Sequence, residues 1–138
     1  MVGQCWEASP DRLADLFLDT LPYNAHTTAS DALWAGLPML TRTGTTFPGR
    51  VGTSLLTAIG LPELVTTTRQ QYESLAVELA LSPQKLQAIR EKLAGNRLTQ
   101  PLFDTQLFTR HLESAHGMMF DRCCAGLAPE HFAVGESH

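Results

Sequence analysis

The sequence predicts an α/β fold in which a short parallel sheet is flanked by helices and followed by a helical C-terminal region. Its 138 residues suffice for one domain with its own core. The charged side chains are distributed unevenly along the chain: residues 1–66 hold nine Asp, Glu, Lys and Arg side chains, and the other 72 residues hold fifteen. A neutral first part rich in Thr, Gly and Pro is typical of short buried strands joined by loops. A charged second part is typical of helices with one solvated face.

The first part of the chain opens with a predicted strand, helix and strand. Residues 16–18 form the end of a buried strand, and Pro22 marks the turn after it. A helix follows over residues 27–35, where Gly36 is a natural C′ residue. Residues 39–41 then form a second strand, and this order is a βαβ unit with parallel strands.

The loop TRTGTTFPG connects this unit to a second helix, which begins near Arg50 and stops at Gly60. Leu64 and Val65 are predicted to supply a third strand. The residues of the second helix that face inward are Val51, Leu55, Leu56 and Ile59.

The second part of the chain is predicted to be helical. A capping box of Thr68 and Gln71 begins one helix, and Ser82 followed by Pro83 begins the next, which ends at residues 95–96. Their apolar faces comprise Tyr72, Leu75, Ala76 and Leu79 in the first and Leu86, Ile89 and Leu93 in the second.

A last helix is predicted to start with Asp104 or Thr105 as its cap and to run to about Arg122. Its spacing predicts that it buries Phe108, Leu112 and Ala115. Residues 127–138 lack periodicity and are predicted to form a flexible tail.

Charge and cysteine content argue against several classes of function. The net charge of -4 does not suit binding to nucleic acid or to an anionic membrane surface, because both need clustered Lys and Arg. No apolar segment approaches the length of a bilayer span. The cysteines are Cys5, Cys123 and Cys124, an odd number whose adjacent pair could close a disulfide only with strain, so we expect reduced thiols and a cytoplasmic protein. They also lack the ligand spacing of a metal site.

Three consecutive polar residues open the first predicted helix. In an open parallel sheet, ligands bind beyond the carboxyl ends of the strands, where the next helix presents its unpaired N–H groups and positive dipole end. His26, Thr27 and Thr28 can add a ring N–H and two hydroxyls to that set. A diphosphate suits these donors better than a carboxylate because it has enough oxygens to use them all. We therefore predict that these three residues bind a diphosphate.

Asp31 follows Thr27 by four residues and Thr28 by three, so it lies on the same helix face and leans toward the N-terminus. A carboxylate repels a phosphate placed directly on it. One sugar away, it can accept hydrogen bonds from the vicinal hydroxyls of a ribose. Asp31 is therefore predicted to bind the ribose of a nucleotide.

Local pattern alone, without the context of the sheet, favours simpler roles. Thr27 or Thr28 can serve as the helix cap, and Asp31 can complement the helix dipole. His26 taken alone is more often a capping or packed histidine than a ligand-binding one.

Two further residues near this segment have ordinary interpretations. Trp34 is expected in the core rather than as a platform for a base. Arg50, at the start of a helix where the dipole disfavours a cation, is expected to form a salt bridge with Asp19 rather than to contact a ligand.

A long stretch of the chain resembles the C-terminal lobe of the O-linked N-acetylglucosamine transferases, the protein O-GlcNAc transferase and SPINDLY-like group. The resemblance begins with ADLFLDTLPYNAHTTASDALWAGLPMLT. It continues through GRVGTSLLTAIGLPELV, QQYESLAVELA and QPLFDTQLFTRHLE, so it covers nearly everything from residue 12 to residue 126.

The resemblance implies the Rossmann-like C-terminal half of a GT-B glycosyltransferase, the half that holds the sugar nucleotide. Members of the family transfer N-acetylglucosamine from UDP-GlcNAc to protein Ser or Thr hydroxyls with inversion, and they require no metal or other cofactor. It assigns His26, Thr27 and Thr28 to the diphosphate and Asp31 to the ribose, in agreement with the helix geometry. The implied ligand is UDP or UDP-GlcNAc, and the implied acceptor of the full enzyme is a protein.

The resemblance also divides the chain. Residues 12–126 correspond to the donor-binding lobe, residues 127–138 to the tail, and residues 1–11 to a non-matching N-terminal segment expected to be disordered. Within that segment the chain departs from the family. It reads GQCWEASPD, with Glu7, where the family has a basic, histidine-containing segment that helps to hold the uridine and the phosphates.

The family's N-terminal catalytic lobe, its leaving-group lysine and its tetratricopeptide repeats are expected outside this chain, so the catalytic residues are unknown. The isolated chain is then expected to bind UDP weakly and to lack transferase activity. It is also expected to self-associate or to be marginally stable if the missing lobe normally covers the last helix. Two alternatives stay open. One is a non-catalytic interaction module with the same fold, and the other is a relative that uses another nucleotide sugar, such as GDP-fucose.

Overall fold

The computed structural model describes residues 14–134, so the predictions for residues 1–11, including Cys5 and Glu7, lie outside the described part. Within these residues three strands and five α-helices follow one another, with short 3₁₀ turns at Pro62–Leu64 and Pro101–Phe103. The strands are β1 (Phe17–Leu18), β2 (Met39–Arg42) and β3 (Val65–Thr66). The helices are α1 (Thr27–Trp34), α2 (Val51–Ala58), α3 (Arg69–Leu81), α4 (Pro83–Asn96) and α5 (Thr105–Cys124).

The sheet is parallel in the order β1-β2-β3, which confirms the predicted α/β class. Phe17 pairs with Met39 on one side of β2, and Thr41 pairs with Val65 on the other. The central strand is buried from Met39 to Thr41, because it has a neighbour on each side and helices against it. The core around it consists of Ala29, Leu33, Leu56, Ile59, Leu61, Leu64, Leu79, Leu86, Ile89 and Leu93.

Several predicted helix ends are confirmed. After α1, Gly36 has a φ of +82° and donates its N–H to the carbonyl of Leu33 at 3.1 Å, while Leu37 donates to Ala32 at 2.9 Å. This pair of bonds is a Schellman motif, which the left-handed glycine makes possible. Thr68 and Gln71 form the capping box of α3, and the Asp104 carboxylate accepts the N–H of Leu107 at the start of α5.

Other expectations were wrong in detail. Ser82 precedes α4, but its hydroxyl makes no capping bond. The strand predicted as buried is half-buried at Phe17 and 53% exposed at Leu18, because β1 lies at the edge of the sheet. In α3 only Leu79 of the predicted face is fully buried.

The predicted burial of the last helix was also wrong. The chain divides after Leu102 into two compact units, and α5 belongs to the second. Phe108 is 65% exposed and Leu112 is 44% exposed, while Ala115 is half-buried. In the described part of this unit α5 is the one α-helix, so its apolar stripe has no second helix of its own unit to pack against. Over residues 14–134, no helix combines the length and the apolar character needed to cross a membrane.

Candidate functional site

Two loops meet at the carboxyl end of the sheet, where β1 and β2 end. Residues 19–26 connect β1 to α1, and residues 43–50 connect β2 to α2. The N–H of Asn24 in the first loop donates to the carbonyl of Pro48 in the second at 3.0 Å. The N-termini of both helices therefore lie at the same end of the sheet, the carboxyl end of its strands, as the topology predicts.

The N-terminus of α1 is open. His26 is the N-cap residue, its side chain makes no capping bond, and its carbonyl accepts the N–H of Ser30 at 3.1 Å. Within residues 14–134 no acceptor takes up the amides of Thr27, Thr28 and Ala29, and both threonine side chains are exposed. The simpler interpretation, in which Thr27 or Thr28 caps the helix, is wrong. Their hydroxyls and amides, which have no acceptor among the described residues, form a set of donors suited to an anion.

The His26 ring lies between two aromatic side chains. Its ring centroid is 5.0 Å from that of Tyr23, nearly parallel at 17°, and 6.3 Å from that of Phe47, perpendicular at 90°. The Nε2 atom is buried and finds no hydrogen-bond partner among the described residues. The aromatic neighbours hold the imidazole beside the open helix end while leaving this nitrogen without a bond. A buried polar atom of this kind costs free energy unless a partner reaches it.

Asp31 lies one turn further along α1 and is exposed, with no ion pair among the described residues. Its spacing from Thr27 and Thr28 keeps it on their side of the helix.

At the other end of α1, Trp34 is 48% exposed, so the expectation that it belongs to the core was wrong. The Arg97 guanidinium lies 5.5 Å from the centre of its ring and also donates to the Trp34 carbonyl.

A buried carboxylate beneath the loop was not predicted as part of the site. Asp19 is only 4% exposed, and one oxygen, Oδ1, accepts the N–H of Thr20 at 2.9 Å and that of Ala25 at 2.8 Å. The other oxygen, Oδ2, accepts the hydroxyl of Thr41 at 2.6 Å. Asp19 does not form the predicted salt bridge with Arg50, because loop amides and a buried hydroxyl take up its oxygens. A signal was present in the sequence: a threonine, Thr41, ends the apolar run of the central strand.

The N-terminus of α2 is used differently from that of α1. Its Gly52 N–H donates to the side-chain oxygen of Asn24 at 3.2 Å. A Cβ on Gly52 would stand 2.5 Å from Asp19 Oδ2 and 2.6 Å from Thr41 Oγ1, so only glycine fits without movement. The first turn of α2 thus packs directly on the Asp19–Thr41 pair. Of the two helix N-termini at this end of the sheet, that of α2 has one amide bonded to the loop, and that of α1 has no such bond among the described residues.

Tyr72 of α3 reaches the same loop. Its hydroxyl donates to the backbone carbonyl of Asp19 at 3.0 Å. Burial raises the pKa of the Tyr72 phenol above its ordinary value, and the negative charge of Asp19 raises that pKa further. The phenol therefore stays protonated at neutral pH and keeps its role as a donor.

Two other features bear on ligand binding. A separate cavity of about 450 Å³ lies beside β3 and α3, lined by Thr66, Gln71 and Glu78 among others, and none of the four predicted site residues lines it. Within residues 14–134 no group of three or more His, Cys, Asp and Glu side chains is arranged to hold a metal ion. Cys123 and Cys124 are exposed free thiols.

Comparison with known proteins gives one consistent family. Residues 8–112 match the model of glycosyl transferase family 41. The chain is 44% identical over 126 residues to the "Probable UDP-N-acetylglucosamine--peptide N-acetylglucosaminyltransferase SEC" of Arabidopsis thaliana, a match that covers 91% of this chain and 13% of that relative. It is 41% identical over 120 residues to the "UDP-N-acetylglucosamine--peptide N-acetylglucosaminyltransferase" of Caenorhabditis elegans, covering 87% of this chain and 10% of that relative.

A solved structure agrees with these sequence matches. A mutant O-GlcNAc transferase from Thermobaculum terrenum superimposes with a TM-score of 0.76 at 38% identity, covering 83% of this chain and 22% of that chain. The chain therefore spans a small part of the proteins that it matches.

Proposed function

Because the chain belongs to glycosyl transferase family 41, we propose that it is the UDP-GlcNAc-binding portion of a protein O-GlcNAc transferase-like enzyme of GT-B fold. The observation that carries the proposal is the open N-terminus of α1, where unpaired amides, two exposed hydroxyls and an unpartnered imidazole nitrogen stand together. Such a set suits a diphosphate, and relatives of this chain carry names that specify a UDP-linked sugar.

In this proposal each residue has a separate role. The diphosphate accepts hydrogen bonds from the first-turn amides of α1, from the hydroxyls of Thr27 and Thr28, and from Nε2 of His26. Asp31 lies one turn beyond and accepts hydrogen bonds from the ribose hydroxyls. This distance keeps its negative charge away from the phosphates, which a directly adjacent carboxylate would repel.

The proposed reaction transfers N-acetylglucosamine from UDP-GlcNAc to a Ser or Thr hydroxyl of an acceptor protein, with inversion at the anomeric carbon. As the glycosidic bond breaks, negative charge develops on the departing UDP. The amides, the hydroxyls and the positive end of α1 are placed to stabilise that charge, which is electrostatic catalysis aimed at the leaving group and needs no metal ion.

The catalytic residues stay unassigned within this chain. We expect them on the N-terminal lobe implied by the family resemblance, with protein acceptors recruited by its tetratricopeptide repeats. The isolated chain is therefore expected to bind UDP weakly and to show no transferase activity. The proposed compartment is the cytoplasm, because Cys123 and Cys124 are exposed free thiols, the form that a reducing compartment maintains.

A two-dimensional amide NMR titration with UDP, UDP-GlcNAc and GDP tests the proposal. We expect the uridine ligands to shift the amides of residues 25–31, and Thr27→Ala or Asp31→Ala to weaken the effect strongly. Thr109→Ala is the matched control, because it removes an exposed threonine hydroxyl from α5, in the other unit. Its titration should match that of the unmodified chain.

The same titration separates the alternatives. A stronger response to GDP than to UDP would favour a relative that uses a guanosine-linked sugar. Shifts confined to the cavity beside β3 and α3 would move the site away from α1. Absence of shifts at millimolar ligand would contradict binding by this chain and favour the non-catalytic interaction module.

A further inference from the structure

We propose that Asp19 is a positioning residue, whose carboxylate holds the loop between β1 and α1 in the conformation that leaves the α1 N-terminus open to its anion. This inference rests on the proposed function, since it concerns how the diphosphate site is built. Asp19 does not contact the ligand in this scheme. It acts through Ala25, the residue immediately before His26.

The contacts of Asp19 converge from three directions. Oδ1 accepts the amides of Thr20 and Ala25, which are the two ends of the turn, and so closes it. Oδ2 accepts the hydroxyl of Thr41, a fully buried residue of the central strand. The turn is thereby fastened to the most buried element of the sheet. Because Ala25 is held, the next residues, His26 and Thr27, start α1 at a fixed place.

The charge of the Asp19 carboxylate also bears on its role. A buried carboxylate near a diphosphate site is electrostatically unfavourable for an anion. Its presence at that place therefore needs a structural reason, and the three donors that converge on its two oxygens supply one. A role in positioning thus predicts that geometry matters more than charge: an uncharged side chain of the same shape should preserve binding.

Three variants of the full 138-residue chain test this. Asp19→Ala removes every acceptor. Asp19→Asn keeps one oxygen for the loop amides and can donate its NH₂ to Thr41. Thr66→Val is the control for general loss of stability, because Thr66 is also buried and its hydroxyl donates to the backbone carbonyl of Thr41 at 2.9 Å rather than to Asp19.

Two quantities are measured well below the midpoint of thermal unfolding, so that every variant is folded. The first is the hydrogen-exchange rate of the Ala25 amide in the free protein. The second is the affinity for UDP. Asp19→Ala should accelerate Ala25 exchange and weaken UDP binding by about tenfold, because only the fraction of molecules with the loop in place binds. Asp19→Asn should restore both to within about threefold of the unmodified chain, and Thr66→Val should leave both unchanged.

The outcomes are decisive in each direction. Equal Ala25 exchange in Asp19→Ala and Thr66→Val would overturn the proposal, and so would a loosened loop with unaltered UDP affinity. Failure of Asp19→Asn to restore binding would also overturn it, since charge rather than geometry would then be required. If the unmodified chain binds no UDP, the proposed function fails; faster Ala25 exchange in Asp19→Ala would still support the role of Asp19 in holding the loop, and unchanged exchange would refute it.

Discussion

At the scale of single residues, the use of a hydroxyl depends on where its partners are. Thr41 on β2 and Thr66 on β3 are buried residues, and their hydroxyls donate to Asp19 and to a backbone carbonyl, respectively. Thr27 and Thr28 lie on the first turn of α1, and their hydroxyls have no partner among the described residues. Identical side chains thus support the loop in one place and, under the proposed function, bind the ligand in the other.

Tyr72 gives a prediction at this scale. Because the pKa of its phenol is raised in the folded state, the unfolded chain loses that proton first as the pH rises. The stability that Tyr72 contributes is therefore fully present below about pH 10 and is lost as the pH rises through the folded-state pKa. We expect Tyr72→Phe to cost about 1 kcal/mol at pH 7, from the lost bond to the Asp19 carbonyl.

The measurement is urea denaturation of both proteins from pH 7 to pH 11. The difference in unfolding free energy between them should shrink above about pH 10. Tyr23→Phe is the control, because Tyr23 is 61% exposed and its hydroxyl is not bonded within residues 14–134. A constant difference between Tyr72→Phe and the unmodified chain at every pH would contradict the prediction.

At the scale of elements, α2 is held close to the sheet by a position that admits only glycine. An added Cβ at Gly52 would overlap both Asp19 and Thr41, and neither can move freely because both are buried. We expect Gly52→Ala to lower the free energy of unfolding by about 1–3 kcal/mol through overpacking. Chemical denaturation checks this.

Gly95→Ala is the matched control for that substitution. Gly95 lies in α4 with nothing within 4 Å of an added Cβ. There the change should raise the stability by roughly 0.5–1 kcal/mol through helix propensity. If both substitutions changed the free energy of unfolding equally, the close approach of α2 to Asp19 would impose no steric constraint on position 52.

The elements also show what sequence reasoning can reach. Local signals, such as Gly36 after α1 and the Thr68–Gln71 pair before α3, predicted helix ends correctly because the interactions lie within a few residues. The exposure of Leu18 was missed, since apolar character does not reveal whether a strand lies at the centre or the edge of a sheet. Periodicity likewise predicted α5 but not whether its apolar stripe is covered.

The candidate site follows the same division. His26, Thr27, Thr28 and Asp31 are consecutive or one turn apart, so helix geometry alone could group them. Asp19 and Thr41 are 22 residues apart, and their hydrogen bond exists only once β1 and β2 pair. The placement of Phe47 beside His26 depends on the loop after β2, which carries no periodic signal.

At the scale of the whole molecule, the exposed stripe of α5 has consequences for solution behaviour. Phe108, Leu112 and Met119 are 65%, 44% and 46% exposed and recur at helical spacing on one face. Contiguous apolar surface of this kind promotes association. We expect the sedimentation coefficient of the chain to rise with concentration, and Phe108→Glu to reduce that rise.

Leu98→Glu is the control for this experiment, since Leu98 is 80% exposed but lies in the other unit. It should leave the concentration dependence of sedimentation intact. A sedimentation coefficient independent of concentration in the unmodified chain would contradict the prediction.

The hydrogen bond between Asp19 and Thr41 also bears on the kinetics of folding. It joins two residues 22 positions apart with all of α1 between them, so the proposed anion site is complete only after that closure. If Asp19 and Thr41 come together late in folding, the transition state lacks the complete site, and a nucleotide that recognises that site binds the transition state weakly. It would then slow unfolding while leaving the folding rate nearly unchanged, and a bound donor would extend the lifetime of the native chain.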